Sequence, residues 1–310
     1  MELANHCGNS QQARGETAVI RTATEEDAPD IYQLLRRATH SHIHVGWHLP
    51  IHWLGRDEFL VYEPPARGSS AMNKLWGEDL ALRACLVVTA NPAPTAWVHV
   101  AALRGVAEPV VVLAEMLACV EEMLRPTAVT QIAWMPVDNW PEAWFEQLGF
   151  IEVNQIQTYF KPDLAVSDEQ PAPGLSLRPA RSSDVAELVQ IEADTYAPLW
   201  RHSADDLAAA LQQTCSFDVA ELNDHIVGFQ ISTCDETAAH LARLTIAPTA
   251  QKRGVGTALL THAIRGFQKQ NLRSITLNTQ ADNVASQQLY KKFGFVARNR
   301  WFSIWAKQLT

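Results

Sequence analysis

The sequence predicts two tandem α/β (α+β) domains, each a mixed, mostly antiparallel sheet with helices on both faces. Three observations lead there. The 310 residues suit two domains of about 150 residues each. A strand-to-helix handover occurs twice: Arg21 and Asp27 near the start recur as Arg178 and Asp184, displaced by 157 residues. The second half then alternates period-two and helical patterns to its end.

Composition narrows the class. Hydrophobic residues are 47% and charged residues 19%, enough for buried cores and too apolar for wholesale disorder. No apolar run approaches the about 18 residues of a membrane span. Met1–Ala18 is polar and lacks the apolar stretch of a signal peptide, so a loose tail on a cytoplasmic protein is expected. A net charge of -9 without a dense Lys/Arg run argues against nucleic acid as a general partner. Five scattered cysteines (Cys7, Cys85, Cys119, Cys215, Cys234) without a Cys-x-x-Cys pair read as free thiols.

In order, Ile20–Asp27 is a strand leading to a helix with Ile31, Leu34, Leu35 and Ala38 on one face. Thr24 with Asp27 caps its start, as Ser182 or Ser183 with Asp184 does in the second half. A further helix carries Leu113, Met116, Leu117, Val120 and Leu124. Three prolines and little apolar periodicity make Lys161–Gly174 linker-like, so domains are placed at 19–165 and 175–310 with a linker over 166–174. Asp218–Thr233 reads as a hairpin turning at Asn223-Asp224, followed by a strand over Leu241–Ile246. A helix from Gly256 through Phe267, a strand over Ser274–Asn278, a helix over Ser286–Phe293 and a strand over Trp301–Ala306 complete the chain.

Between the Leu241–Ile246 strand and the next helix lies Gln251-Lys252-Arg253-Gly254-Val255-Gly256. Closely spaced glycines at such a junction expose backbone N–H groups beside the positive end of a helix, a site suited to a pyrophosphate. Taken alone, the hexapeptide equally fits a turn at Gly254 and close packing at Gly256.

Together with Asn283 and Tyr290-Lys291-Lys292-Phe293-Gly294-Phe295, this loop resembles the GCN5-related N-acetyltransferase (GNAT) superfamily, over about residues 175 to 310. The resemblance implies a splayed sheet, acetyl-CoA as co-substrate without a metal, and transfer of the acetyl group to a primary amine in a ternary complex. It implies pantetheine contacts along Leu244, Thr245 and Ile246, phosphate contacts from Gln251, Lys252, Arg253, Gly254, Val255, Gly256 and Thr257, and a cofactor contact from Asn283. Tyr290 falls at the family's general acid, and its residue type also fits an aromatic packed on Phe293 or Phe295. His240, eleven residues before Gln251, stands where histone-acetylating relatives carry a basic carboxylate. A solvated strand-end histidine is the other reading, with Glu221, Asp235 and Glu236 as unranked substitutes. Tyr196, Trp200 and Arg201 in the segment after the first helix are the acceptor-binding candidates, beside Asp194, His202 and Asp205; Trp200 in a helix-pair core is equally open.

In the first half, Arg104-Gly105-Val106-Ala107-Glu108-Pro109 stands where the glycine loop would be, and Phe145 where Tyr290 would be, which reads as a degenerate copy. His40, His42, His44, His48 and His52 with Trp47 and Trp53 form a loop that could line a ligand, pack structurally or, against the spacing, hold a metal. Trp134, Trp140 and Trp144 read as core or interface residues. The resemblance extends to two-domain members that include mycothiol synthases, in which the C-terminal copy is the catalytic one, and the acceptor is left open among small-molecule and peptide amines. A non-catalytic acyl-CoA sensor and a pure interaction protein are the competing readings. The chain is expected to be a monomer, its halves forming a pseudo-dimer, or a homodimer.

Overall fold

An arginine on the first strand of each half ties down the helix that follows. The computed structural model describes residues 18–44, 46–65, 80–90, 92–166 and 173–309; the expected tail up to residue 17, with Cys7, and linker residues 167–172 lie outside them. In β1 (Val19–Thr22), Arg21 donates from both terminal nitrogens to Asp27, at 2.7 Å each, and through Nε to Glu63 at 2.7 Å. Asp27 also accepts from the Thr24 backbone N–H, so α1 (Ala28–Arg37) starts from a fixed point. Arg178 repeats the arrangement with Asp184 and Glu221. The repeat in the sequence is therefore a repeated ionic clamp.

The chain divides into two compact units, one of residues 1–152 with 305–310 and one of Val153–Ile304. The first unit adds β2 (His40–Ile43), β3 (Phe59–Glu63), β4 (Ala84–Thr89), β5 (Thr95–Leu103), α2 (Pro109–Leu124), β6 (Gln131–Trp134) and the short α3 (Phe145–Leu148). Its strands run in the order β1-β3-β4-β5-β6, antiparallel except for β5 with β6. Alternate residues of β4 serve opposite faces: Ala84, Leu86 and Val88 pack with α2, and Cys85 and Val87 with Ile31 and Leu34 of α1. His42 and Trp134 are fully buried, and His40 packs against the rings of Trp140 and Trp144. The start of the histidine-rich segment, His40–Ile43, is thus a strand, with His40 and His42 packed on tryptophan rings. Among the described residues no group of three His, Cys, Asp or Glu side chains is placed to hold a metal.

β7 (Ile151–Lys161) leads into the second unit, which continues with β8 (Leu175–Pro179), α4 (Val185–Thr195), α5 (Ala204–Gln213), β9 (Ser216–Leu222), β10 (His225–Cys234), β11 (Ala238–Ile246), α6 (Val255–Lys269), β12 (Ser274–Gln280) and α7 (Val284–Lys292). Asn223 and Asp224 both take positive φ, 53° and 64°, the two-residue turn that suits the twist of the hairpin. That hairpin corrects the expectation of free thiols throughout: Cys215, just before β9, and Cys234, at the end of β10, form a disulfide, with Cα atoms 5.8 Å apart. Nineteen residues apart in sequence, they become neighbours only through the β9–β10 register. Cys85 is buried and takes no part in this disulfide.

The last strand, β13 (Val296–Gln308), returns to the first unit, where Trp305–Gln308 pair antiparallel with β6. In the second unit, Ile156–Lys161 of β7 pair with β12. Each sheet therefore gains a strand from the opposite half of the sequence. For this reason the units part at Glu152 and Val153 and not at the linker read from composition. Composition shows where a chain lacks a core, whereas edge pairing depends on register. Trp305 packs 4.8 Å from the Phe145 ring, and Lys307 pairs with Glu121. Among the described residues, no helix is long and apolar enough to cross a membrane. Replacing Trp305 by Ala is expected to cost the first unit about 3 kcal/mol. It should appear as faster amide exchange in β5 and β6 and unchanged exchange in β10 and β11; unchanged exchange in all four would contradict this strand assignment.

Candidate active site

One extra residue in β11 opens the second sheet. The β10–β11 register runs from Ile231 opposite Arg243 to Ser232 opposite Leu241, leaving Ala242 as a β-bulge. A bulge bends and further twists its strand. On the other edge, β11 pairs with β12 in parallel only over Ala238–Leu241. Among the described residues no strand pairs with 243–246 on that edge. Its carbonyls take side-chain donors instead: Tyr196 Oη to Leu244 at 3.0 Å, and Gln251 Nε2 to Ile246 at 3.2 Å. Thr245 is fully buried, and Leu244 and Ile246 pack on Val255 and Leu259 of α6.

The glycine loop meets this opening at the head of α6. Gly254, the residue before the helix, has φ 80°, a left-handed conformation that favours glycine, and no atom lies within 4 Å of where its Cβ would be. The first helical bond is Ala258 N–H to the Gly254 carbonyl at 3.0 Å. Val255, Gly256 and Thr257 precede it, so their N–H groups lack helical acceptors and face an anion with the positive end of the dipole. Gly256 serves packing as well, because a Cβ there would stand 3.3 Å from Leu289 Cδ2 of α7. Gln251, Lys252 and Arg253 are exposed beside the loop. The donor set suits a diphosphate.

Tyr290 on α7 is 5% exposed, close to the rings of Phe295 and Tyr159, at 5.8 and 6.3 Å. Burial pushes its phenol well above the ordinary tyrosine range, outweighing the hydrogen bond from Ser286 one turn earlier, which favours the phenolate, so the phenol is protonated at neutral pH. His240 lies in the paired part of β11, its Nδ1 2.8 Å from Thr276 Oγ1 on β12. Burial lowers its pKa, which leaves a neutral imidazole at pH 7. Asn283 caps α7, its side chain accepting from Ser286 N–H at 3.1 Å, so the expected cofactor residue has a structural task.

The segment after α4 leans on β11. Tyr196 reaches Leu244 as described, and the Trp200 carbonyl accepts from Arg243 at 2.7 Å. The Arg201 guanidinium donates to the carbonyls of Tyr196 and Ala193, at 2.8 and 2.9 Å, and so closes the end of α4.

A family model described as the acetyltransferase (GNAT) family matches residues 185–295, which hold the bulge, the loop and Tyr290. The match lies within the second unit. Over 73 residues it is 32% identical to the ribosomal protein bS18-alanine N-acetyltransferase of Escherichia coli K12, covering 24% of this chain and 49% of that one. Over 56 residues it is 46% identical to the mycothiol acetyltransferase of Renibacterium salmoninarum, covering 18% and 16%. These matches span half or less of either relative. A tandem GNAT protein from the clavulanic acid biosynthesis pathway shares the fold along both halves, with 13% identity, a TM-score of 0.58 and coverage of 94% of this chain and 99% of that one.

Sequence reasoning missed the buried ion pair of this unit. Glu192, fully buried on α4, binds Arg243 of β11 through both oxygens, and also accepts from Thr245 Oγ1 at 2.8 Å and from His202 N–H at 3.1 Å. Arg243 in turn lies over the Tyr196 ring at 3.8 Å. The available signal was a carboxylate on the apolar face set by Leu188 and Ile191. Burial opposes the Glu192 charge, but Arg243 outweighs it and holds the carboxyl below its ordinary value. Burial and Arg243 push His202 down to about 4, so it is neutral at pH 7 and adds no ion pair. A depressed carboxyl stabilises the fold above its unfolded pKa of 4.5, and that stability is lost as pH falls through the lower folded value. Glu192→Gln is expected to cost the second unit about 3 kcal/mol at pH 7 by stranding Arg243. The loss should shrink on acidification below about pH 4.5; a pH-independent difference in chemical denaturation would count against the pair.

Proposed function

We propose that the second unit transfers an acetyl group from acetyl-CoA to a primary amine by direct attack in a ternary complex. The observation that carries this is the parting of β11 from β12 at Ala242, next to the open N–H groups at Gly254–Thr257. The loop, from Gln251 to Thr257, holds the diphosphate, and the exposed edge along Leu244, Thr245 and Ile246 takes the pantetheine amides. Coenzyme A supplies an activated thioester and a thiolate leaving group.

The acceptor amine must lose a proton to attack the thioester carbonyl. His240, neutral at pH 7, is the base we assign, directly or through water. Backbone N–H groups near Leu244 stabilise the oxyanion as the new C–N bond forms. When the C–S bond breaks, Tyr290 gives its proton to the sulfur; the phenol is protonated at neutral pH, and the charge developing on the thiolate draws the proton across. Tyr196 and Trp200 border the acceptor side. The relatives named for bS18 alanine and for mycothiol place protein N-termini and thiol-bearing small molecules in the first panel of acceptors, with polyamines, aminoglycosides and amino acids beside them.

The test is an amine panel with thiol detection on the full chain. Gly254→Glu is expected to abolish coenzyme binding by putting a carboxylate and a strained φ at the diphosphate. Tyr290→Phe should keep coenzyme affinity and lower kcat about 10²-fold. Coenzyme binding without thiol release for any amine would assign a sensor in place of an enzyme, and an unchanged kcat in Tyr290→Phe would remove the acid role.

A further inference from the structure

The first unit contains the same opening, and the chain's own strand fills it. β5 pairs with β6 in parallel only over Thr95–Trp97, as β11 pairs with β12 only at its start. Its register with β4 passes from Val87 opposite Val100 to Val88 opposite Val98, so His99 is bulged as Ala242 is. After the bulge the two units diverge. Val100–Leu103 already pair with β4 on one edge, and on the other they pair antiparallel with His40–Ile43 of β2. That second edge corresponds to the one left without a strand partner along 243–246.

Backbone bonds extend the filling strand at both ends, Thr39 N–H to the Leu103 carbonyl at 2.9 Å and His44 N–H to the His99 carbonyl at 2.7 Å. Side chains hold it down. The bulged His99 bonds the His44 carbonyl through Nδ1 at 2.9 Å and Thr89 through Nε2 at 2.9 Å. Trp140 Nε1 donates to the Ser41 carbonyl at 2.9 Å, and the fully buried His42 reaches the Val98 carbonyl. The strand arises directly after the first helix, the place from which the second unit sends Tyr196 and Trp200 toward β11. The phosphate end has changed too. Five residues separate β5 from α2, where eight separate β11 from α6. α2 opens on Glu108 and Pro109, a negative charge and a residue without an N–H.

We propose that Thr39–His44 permanently occupies the first unit's counterpart of the thioester groove, so that the chain carries one acyl-CoA site and the first unit is closed to the carrier. This rests on the reading of the second unit given above. The measurement is native mass spectrometry of the full chain with coenzyme A, paired with amide exchange. One coenzyme per chain is expected, with none in Gly254→Glu. The amides of 40–43 and 100–103 should exchange slowly and identically with and without coenzyme, while those of 243–246 gain protection. Two coenzymes per chain, one that survives Gly254→Glu, or rapid exchange at 100–103 in the free chain would overturn the closed groove alone. No binding by the unaltered chain would overturn the second unit's reading and this inference together.

Discussion

Ala242 is one residue too many for the β10–β11 ladder, and the chemistry of this chain follows from where that surplus sits. A strand that kept register would continue beside β12 and bond it along its whole length. The bulge turns β11 away after Leu241, so the backbone groups that follow face a gap. An unpaired strand edge inside a domain is costly unless something bonds it. In the second unit side chains of Thr195, Tyr196 and Gln251 cover part of that need. In the first unit β2 meets it completely.

The same logic explains the buried charges. An edge that must stay open cannot be held in place by a neighbouring strand, so β11 is held from its face. Glu192 and Arg243 join α4 to the diverging stretch, and Thr245 and the Trp200 carbonyl satisfy their remaining bonds. A fully bonded buried pair of this kind contributes little net stability against an apolar replacement, but it fixes one geometry. In each half the arginine clamp on the first strand does a related task at the sheet's far end.

Much of the fold was legible because it rests on local rules. Hairpin residues Asn223 and Asp224, the apolar face of α6 and the paired clamps at Arg21 and Arg178 are all written in short stretches. The loop was legible because Gly254 needs a conformation that other residues avoid. Register was not legible. The bulge at Ala242, the exchange of β7 and β13, the Cys215–Cys234 disulfide and the filling strand at His40–Ile43 all depend on which backbone lies opposite which. Glu192 was missed because a lone carboxylate on a helix reads as solvated until its partner on β11 is in place. The backbone bonds of Asn283 and Arg201 were not legible either, because each needs the neighbouring helix end in place.

The most direct measurement is a crystal structure of the full chain grown with coenzyme A. The account predicts the diphosphate against the N–H groups from Gly254 to Thr257 and the pantetheine arm bonded to the backbone of Leu244 and Ile246, with Ala242 still bulged. Coenzyme bound elsewhere, or β11 closed onto β12 beyond Leu277, would contradict it.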